Sequence, residues 1–70
     1  MVEMQYVDSS NIEAIGHDVA AQELHVRFLS GDLYVYHGVP QEVYDDLMAS
    51  SSKGSYLNRV IKERYEYTKM

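Results

Sequence analysis

The run Ser52-Lys53-Gly54-Ser55-Tyr56-Leu57-Asn58-Arg59 collects the residues of this 70-residue chain best suited to holding an anion. Its Ser and Gly content marks a helix start, where main-chain N–H groups without intrahelical acceptors and the positive end of the helix dipole attract phosphate or carboxylate. Gly54 allows close approach to the backbone, and Lys53 and Arg59 add charge. Ser52 or Ser55 supplies a hydroxyl, Tyr56 a stacking face, and Asn58 an amide that reads a polar edge. The plainer account makes Ser55 a helix N-cap and Gly54 a link between two helices.

The aromatic set is seven Tyr, one Phe and no Trp. Tyrosine buries a ring while keeping a hydroxyl for a partner, which suits ligand pockets and subunit contacts. Tyr36 joins the candidate ligand-binding residues on this ground. The competing role for Tyr34, Tyr36 and Tyr44 is to fill the space between a sheet and its helices.

Catalytic chemistry finds no such support. His17, His25 and His37 fall on different predicted elements without paired ligand spacing, so no metal site is expected. Ser50-Ser51-Ser52-Lys53 contains S-x-x-K, yet the companion motifs of serine–lysine nucleophiles are missing. Asp18, Asp45 and Asp46 read as solvated carboxylates rather than an acid and base pair. The chain is therefore read as no enzyme, with no cofactor.

Size and charge narrow the partners. A chain this short buries roughly 60% of the surface its unfolded form exposes, so its core is marginal. The absence of Cys removes disulfides and thiolate zinc as supports, which leaves self-association or dense packing. No stretch reaches the ~20 apolar residues of a membrane helix, and a cytoplasmic setting is expected. Residues 1–52 carry nine acids against Arg27 alone, a balance of −8, whereas residues 53–70 carry five bases against Glu63 and Glu66, a balance of +3. Such a body repels a long polyanion, while a compact anion settles on the basic segment.

The elements that must position these residues follow from periodicity. Val2, Met4 and Tyr6 alternate as a short strand, and Ile12 to Asp18 forms a second, with Gly16 marking a bulge or close backbone approach. Leu24, Val26 and Phe28 alternate with Glu23, His25 and Arg27, a half-buried strand with its apolar side inward. Ser30-Gly31-Asp32 turns the chain into a returning strand, Leu33 to His37, with Tyr34 and Tyr36 on one face and Leu33 and Val35 on the other. Pro40 suits the first turn of a helix carrying the i,i+4 pairs Val43 with Leu47 and Tyr44 with Met48. A second helix beginning near Ser55 places Leu57, Ile61 and Tyr65 on one stripe, with Lys53, Arg59, Lys62 and Lys69 largely off it. The expectation is a single α+β domain over residues 1–70: an antiparallel sheet of three to four strands covered on one face by two C-terminal helices.

With those elements in place, Ser9-Ser10-Asn11-Ile12, Ile15-Gly16-His17-Asp18, Leu24-x-Val26-x-Phe28-x-x-Gly31, Tyr34-x-Tyr36, Val39-Pro40, Val43-Tyr44 and Ser52-x-Gly54-x-Tyr56-x-Asn58-x-x-Ile61 together resemble the KTSC domain. That family is a short module found alone in bacterial and phage proteins and attached to the C-terminal end of some lysine tRNA synthetases. The resemblance spans about residues 7–65 and implies a nucleic-acid-binding module without established catalytic residues. His17 stands where the family pattern usually has Tyr; if that ring stacks on a ligand in relatives, the resemblance implies weaker stacking here or a pH-sensitive contact.

Three functions follow as expectations. The first is a non-enzymatic binder of a small phosphate-bearing nucleotide, such as a phage-type sequestering protein acting as a homo-oligomer. The second is an RNA- or tRNA-binding accessory domain. The third is a protein-interaction module using an outer sheet face of His25, Arg27, Leu33 and Val35.

Overall fold

A computed structural model describes residues 2–70. Strands β1 (Met4–Tyr6), β2 (Ile12–Asp18), β3 (Glu23–Phe28), β4 (Leu33–His37) and β5 (Tyr67–Lys69) form one antiparallel sheet in chain order. Helix α1 (Gln41–Ala49) follows β4. A second helical run follows it, made of α2 (Lys53–Tyr56), a π-helical segment (Leu57–Ile61) and α3 (Lys62–Arg64).

The bulge in β2 explains how two isoleucines three residues apart share the core. Ile12 pairs with Phe28 and Ala14 with Arg27, so the register shifts between them. The inserted residue turns Ile12 to the same side as Ile15 despite the period of two. With Leu24, Val26 and Tyr36 they form the sheet side of the core, against Val39, Leu47, Leu57 and Ile61 from the helical side. Each fully buried aliphatic side chain contributes about 1.5–3 kcal/mol, the main force holding the helices to the sheet.

Gly16 marks a close approach rather than the bulge itself. An ideal Cβ there would lie 2.6 Å from Val2 Cγ1, 2.7 Å from the Glu3 carbonyl oxygen and 2.8 Å from Met4 Sδ. At the β3–β4 turn Gly31 takes φ 98°, where side chains are disfavoured, as its place in Ser30-Gly31-Asp32 suggested.

The structure departs from the sequence reading at the C-terminal end. Tyr65 is not part of a helical stripe; it is the extended residue that ends α3. Lys69 lies on β5, paired with Tyr34, with Nζ 3.8 Å from Asp32 Oδ1. The fifth strand exists because β4 has an open edge and Tyr67-Thr68-Lys69 can supply the pairing groups, with His37 N–H donating to Glu66 O at 2.8 Å and Met70 N–H to Leu33 O at 2.8 Å.

The outer sheet face is covered at its centre. Val35 is only 5% exposed and Ala14 is buried, while His25, Arg27 and Leu33 are half-buried. The side chains of His25, Arg27 and Leu33 lie on the same face as Val35 by register, and so does Tyr6, which is 78% exposed. No helix among the described residues is long and apolar enough to cross a membrane.

Candidate functional site

The second helical run begins two residues earlier than its sequence suggests. Ser52 is the N-cap, extended at φ −133° and ψ 92°, and Lys53 and Gly54 lie inside the first turn. Neither alternative assigned to Ser55 and Gly54 holds: Gly54 is not a linker and Ser55 is not a cap. Ser55 Oγ instead accepts a hydrogen bond from Arg59 Nε at 3.2 Å, one turn on. The N-cap makes no side-chain hydrogen bond, so the N–H groups of Lys53, Gly54 and Ser55 have no side-chain cap among the described residues. Ser52 N–H is taken by Ser50 Oγ at 3.2 Å, and Lys53 Nζ donates to Ser50 O at 3.2 Å.

A cleft of about 570 Å³ opens over this turn. Ser52, Lys53, Gly54, Ser55, Asn58 and Arg59 line one side, as the sequence run predicts. Asp8, Ser9, Ser10 and Asn11, from the β1–β2 loop, line the other. Ser9 shapes that loop: its Oγ accepts N–H groups from Asn11 at 3.4 Å and Ile12 at 3.3 Å and donates to Asn11 Oδ1 at 3.1 Å. Sequence reasoning assigned the loop no role, although Ser-x-Asn is a turn signal that ties a side chain to the main chain.

Two predicted residues are not in this cleft. Tyr56 packs against the core. Tyr36 lines a second cleft, of about 480 Å³, with Phe28, Leu29, Tyr34, Tyr67 and Lys62 among its walls. Tyr34 and Tyr67 have ring centroids 5.1 Å apart, Tyr36 and Tyr67 5.7 Å, and Phe28 meets Tyr34 edge-on at 5.3 Å. Ser10 and Asn11 belong to both clefts and form their shared wall. Of the three tyrosines assigned to the core, Tyr36 is fully buried, and Tyr34 and Tyr44 pack against it half-exposed.

His17 packs into the fold. Its ring stacks on Tyr44 at 5.1 Å, and Nε2 donates to the Val39 carbonyl at 2.7 Å. His25 and His37 both approach Glu23, at 3.5 and 3.7 Å, on the outer face of the sheet, and neither lines a cleft. Among the described residues no group of three or more His, Asp or Glu is placed to hold a metal ion.

A five-stranded antiparallel sheet with two helical segments packed on one face, and a polar cleft at the start of the second, defines a small α+β module. The KTSC domain profile matches residues 8–65, and the chain belongs to that family. A protein of Tsukamurella paurometabola is 50% identical over 62 residues, covering 89% of this chain and 92% of that one. A lysine–tRNA ligase of Nostoc punctiforme is 32% identical over 63 residues, which are 90% of this chain and 11% of the ligase. The crystal structure of a KTSC domain protein from Yersinia pestis superposes with a TM-score of 0.95 at 33% identity, over 100% of this chain and 99% of that one.

Proposed function

We propose that this domain binds a small phosphate-bearing nucleotide without turning it over. The observation that carries the reading is the shared wall: Ser10 and Asn11 join a polar cleft holding Lys53 and Arg59 to a cleft walled by Phe28, Tyr34, Tyr36 and Tyr67. A nucleotide has the same division, with charge at one end and a flat ring at the other. Both clefts fall within the roughly 300–1,000 Å³ usual for small-molecule sites.

Within the polar cleft, the N–H groups of Lys53, Gly54 and Ser55 and the cations Lys53 and Arg59 take the phosphate. Arg59 keeps its terminal nitrogens for this, since only Nε is committed to Ser55. Asp8 on the opposite wall suits a sugar hydroxyl, which a carboxylate accepts from. Tight sequestration requires a pocket that holds the ligand and no catalytic step.

Self-association belongs to the same reading. Leu29 and Tyr67, 57% and 52% exposed, stand at the rim of the aromatic cleft, where a second copy would close its open side. Light scattering with and without nucleotide measures this, and a strict monomer in both conditions removes it.

Calorimetric titration with mono-, di- and cyclic nucleotides tests the central claim. Binding by the wild-type chain, lost in the Lys53→Ala/Arg59→Ala double variant, with the nucleotide recovered intact, supports it. No heat and no melting shift with any nucleotide ends it.

A second reading rests on the lysine–tRNA ligase relative: an RNA- or tRNA-binding accessory role. It requires affinity that falls steeply with salt, because phosphate contacts release counterions. A gel shift with tRNA at low salt decides it, and the −8 balance of residues 1–52 weighs against it.

A further inference from the structure

The aromatic cleft contains a polar group that the fold does not use. Tyr36 is fully buried, and its hydroxyl has no hydrogen-bond partner among the described residues. Phe would fill the same space without the penalty of an unpaired buried hydroxyl. Burial above all, then the neighbouring Tyr34 and Tyr67, raises the Tyr36 pKa, so the group stays a neutral O–H that both donates and accepts.

The surroundings of that hydroxyl suit a flat ring. Tyr34 and Tyr67 present two faces tilted by 31° to each other, and Tyr67 comes from the outermost strand. An exposed ring on an edge strand turns about its own side-chain bonds without disturbing the core. Ser10 and Asn11 then lead from this place to the cations of the polar cleft.

We infer that Tyr67 and the hydroxyl of Tyr36 form a subsite for a planar heteroaromatic ring, a nucleobase, with Tyr67 turning to stack on its face while Tyr36 bonds its edge. The inference rests on the nucleotide reading and adds strand β5 to the site. It also accounts for the burial of a hydroxyl where a phenyl ring would suffice.

The test separates the two ends of the ligand. AMP, GMP, CMP and UMP, the matching nucleosides and inorganic pyrophosphate are titrated into wild-type protein and into Tyr67→Ala, Tyr67→Phe, Tyr36→Phe and Lys53→Ala/Arg59→Ala, with circular-dichroism melts to verify folding. Tyr67→Ala is expected to weaken mononucleotide binding on the order of tenfold, as loss of a base-stacking ring does, while pyrophosphate binding is unchanged and Tyr67→Phe keeps near-native affinity. Tyr36→Phe is expected to weaken mononucleotides about fivefold, the scale of one hydrogen bond, and to spare pyrophosphate. If folded Tyr67→Ala and Tyr36→Phe bind mononucleotides like wild type, the base subsite is wrong while the phosphate reading stands. Wild-type protein that binds pyrophosphate without preferring nucleotides overturns the inference, and wild-type protein that binds nothing overturns both.

Discussion

The carboxamide oxygen of Asn11 occupies the space where a side chain at Gly54 would begin: an ideal Cβ on Gly54 would lie 2.7 Å from Asn11 Oδ1. The contact joins the β1–β2 loop to the first turn of α2 and sets the width of the polar cleft between them.

Gly54→Ala therefore has two opposed effects. A helical Gly→Ala change ordinarily gains about 0.5–1 kcal/mol. Here the new methyl pushes Asn11 away from Ser9, giving up a hydrogen bond with a net value of about 1 kcal/mol. The expected outcome is little change in the wild type but a gain of about 1 kcal/mol in an Asn11→Ala background. A double-mutant cycle by urea denaturation measures the coupling, and additive effects would contradict the contact.

Gly16→Ala has no such escape. Its Cβ would meet the Glu3 carbonyl at 2.7 Å as well as the Val2 and Met4 side chains, and backbone does not rotate away. The expected cost is about 1–3 kcal/mol, with amide exchange accelerated selectively in β1. Retained protection at Gln5 and Val7 would show that the first strand accommodates the methyl.

His17→Ala removes both the stack on Tyr44 and the donor to Val39 O. A loss of about 2 kcal/mol is expected, with His17→Phe recovering roughly half because it keeps only the ring contact. Equal stability of the two variants in chemical denaturation would mean that the stack contributes nothing.

Alkaline stability should depend on two phenols, Tyr36 fully buried and Tyr44 half-buried. Burial, with the neighbouring Tyr34 and Tyr67 for Tyr36 and with Asp45 and Glu3 for Tyr44, raises both pKa values above 10.0. A raised folded pKa means that the folded chain holds the proton more tightly, so the contribution is full below pH 10 and is lost as pH rises through the folded value. Tyr36→Phe is expected to move the alkaline unfolding midpoint upward, monitored by circular dichroism. An unchanged midpoint would mean that Tyr36 does not govern that transition.

Much of the sheet was legible because alternation leaves no choice of face. Leu24, Val26 and Phe28 had one consistent inward side, and Gly31 between two such runs placed the turn. The last strand was not legible: Tyr67-Thr68-Lys69 is too short to show a period, and its pairing with β4 is decided by an open edge distant in sequence. The helix start shifted from Ser55 to Lys53, with Ser52 as its cap, because Ser and Gly at neighbouring positions offer several equivalent caps. Half of the candidate site followed from the Lys53 to Arg59 run. The wall from Asp8 to Asn11 did not, since nothing local says which distant loop faces a helix start. The aromatic cleft was represented only by Tyr36, because residues from three strands meet there through sheet order alone.

The π-helical segment Leu57–Ile61 has a geometric consequence. Lys62 N–H donates to Leu57 O, a wider loop of backbone than an α turn, while Leu57 and Ile61 both stay buried. Each residue of a helix advances the chain by about 100°. Rewinding this segment to ordinary α spacing without removing a residue would swing everything beyond it by that angle. Arg59 would still face its cleft, but Lys62 would leave the aromatic wall and the chain would arrive at β4 out of phase with the strand it has to join. The wide turn thus works as a phase corrector, allowing one short helical run to serve two adjoining chambers.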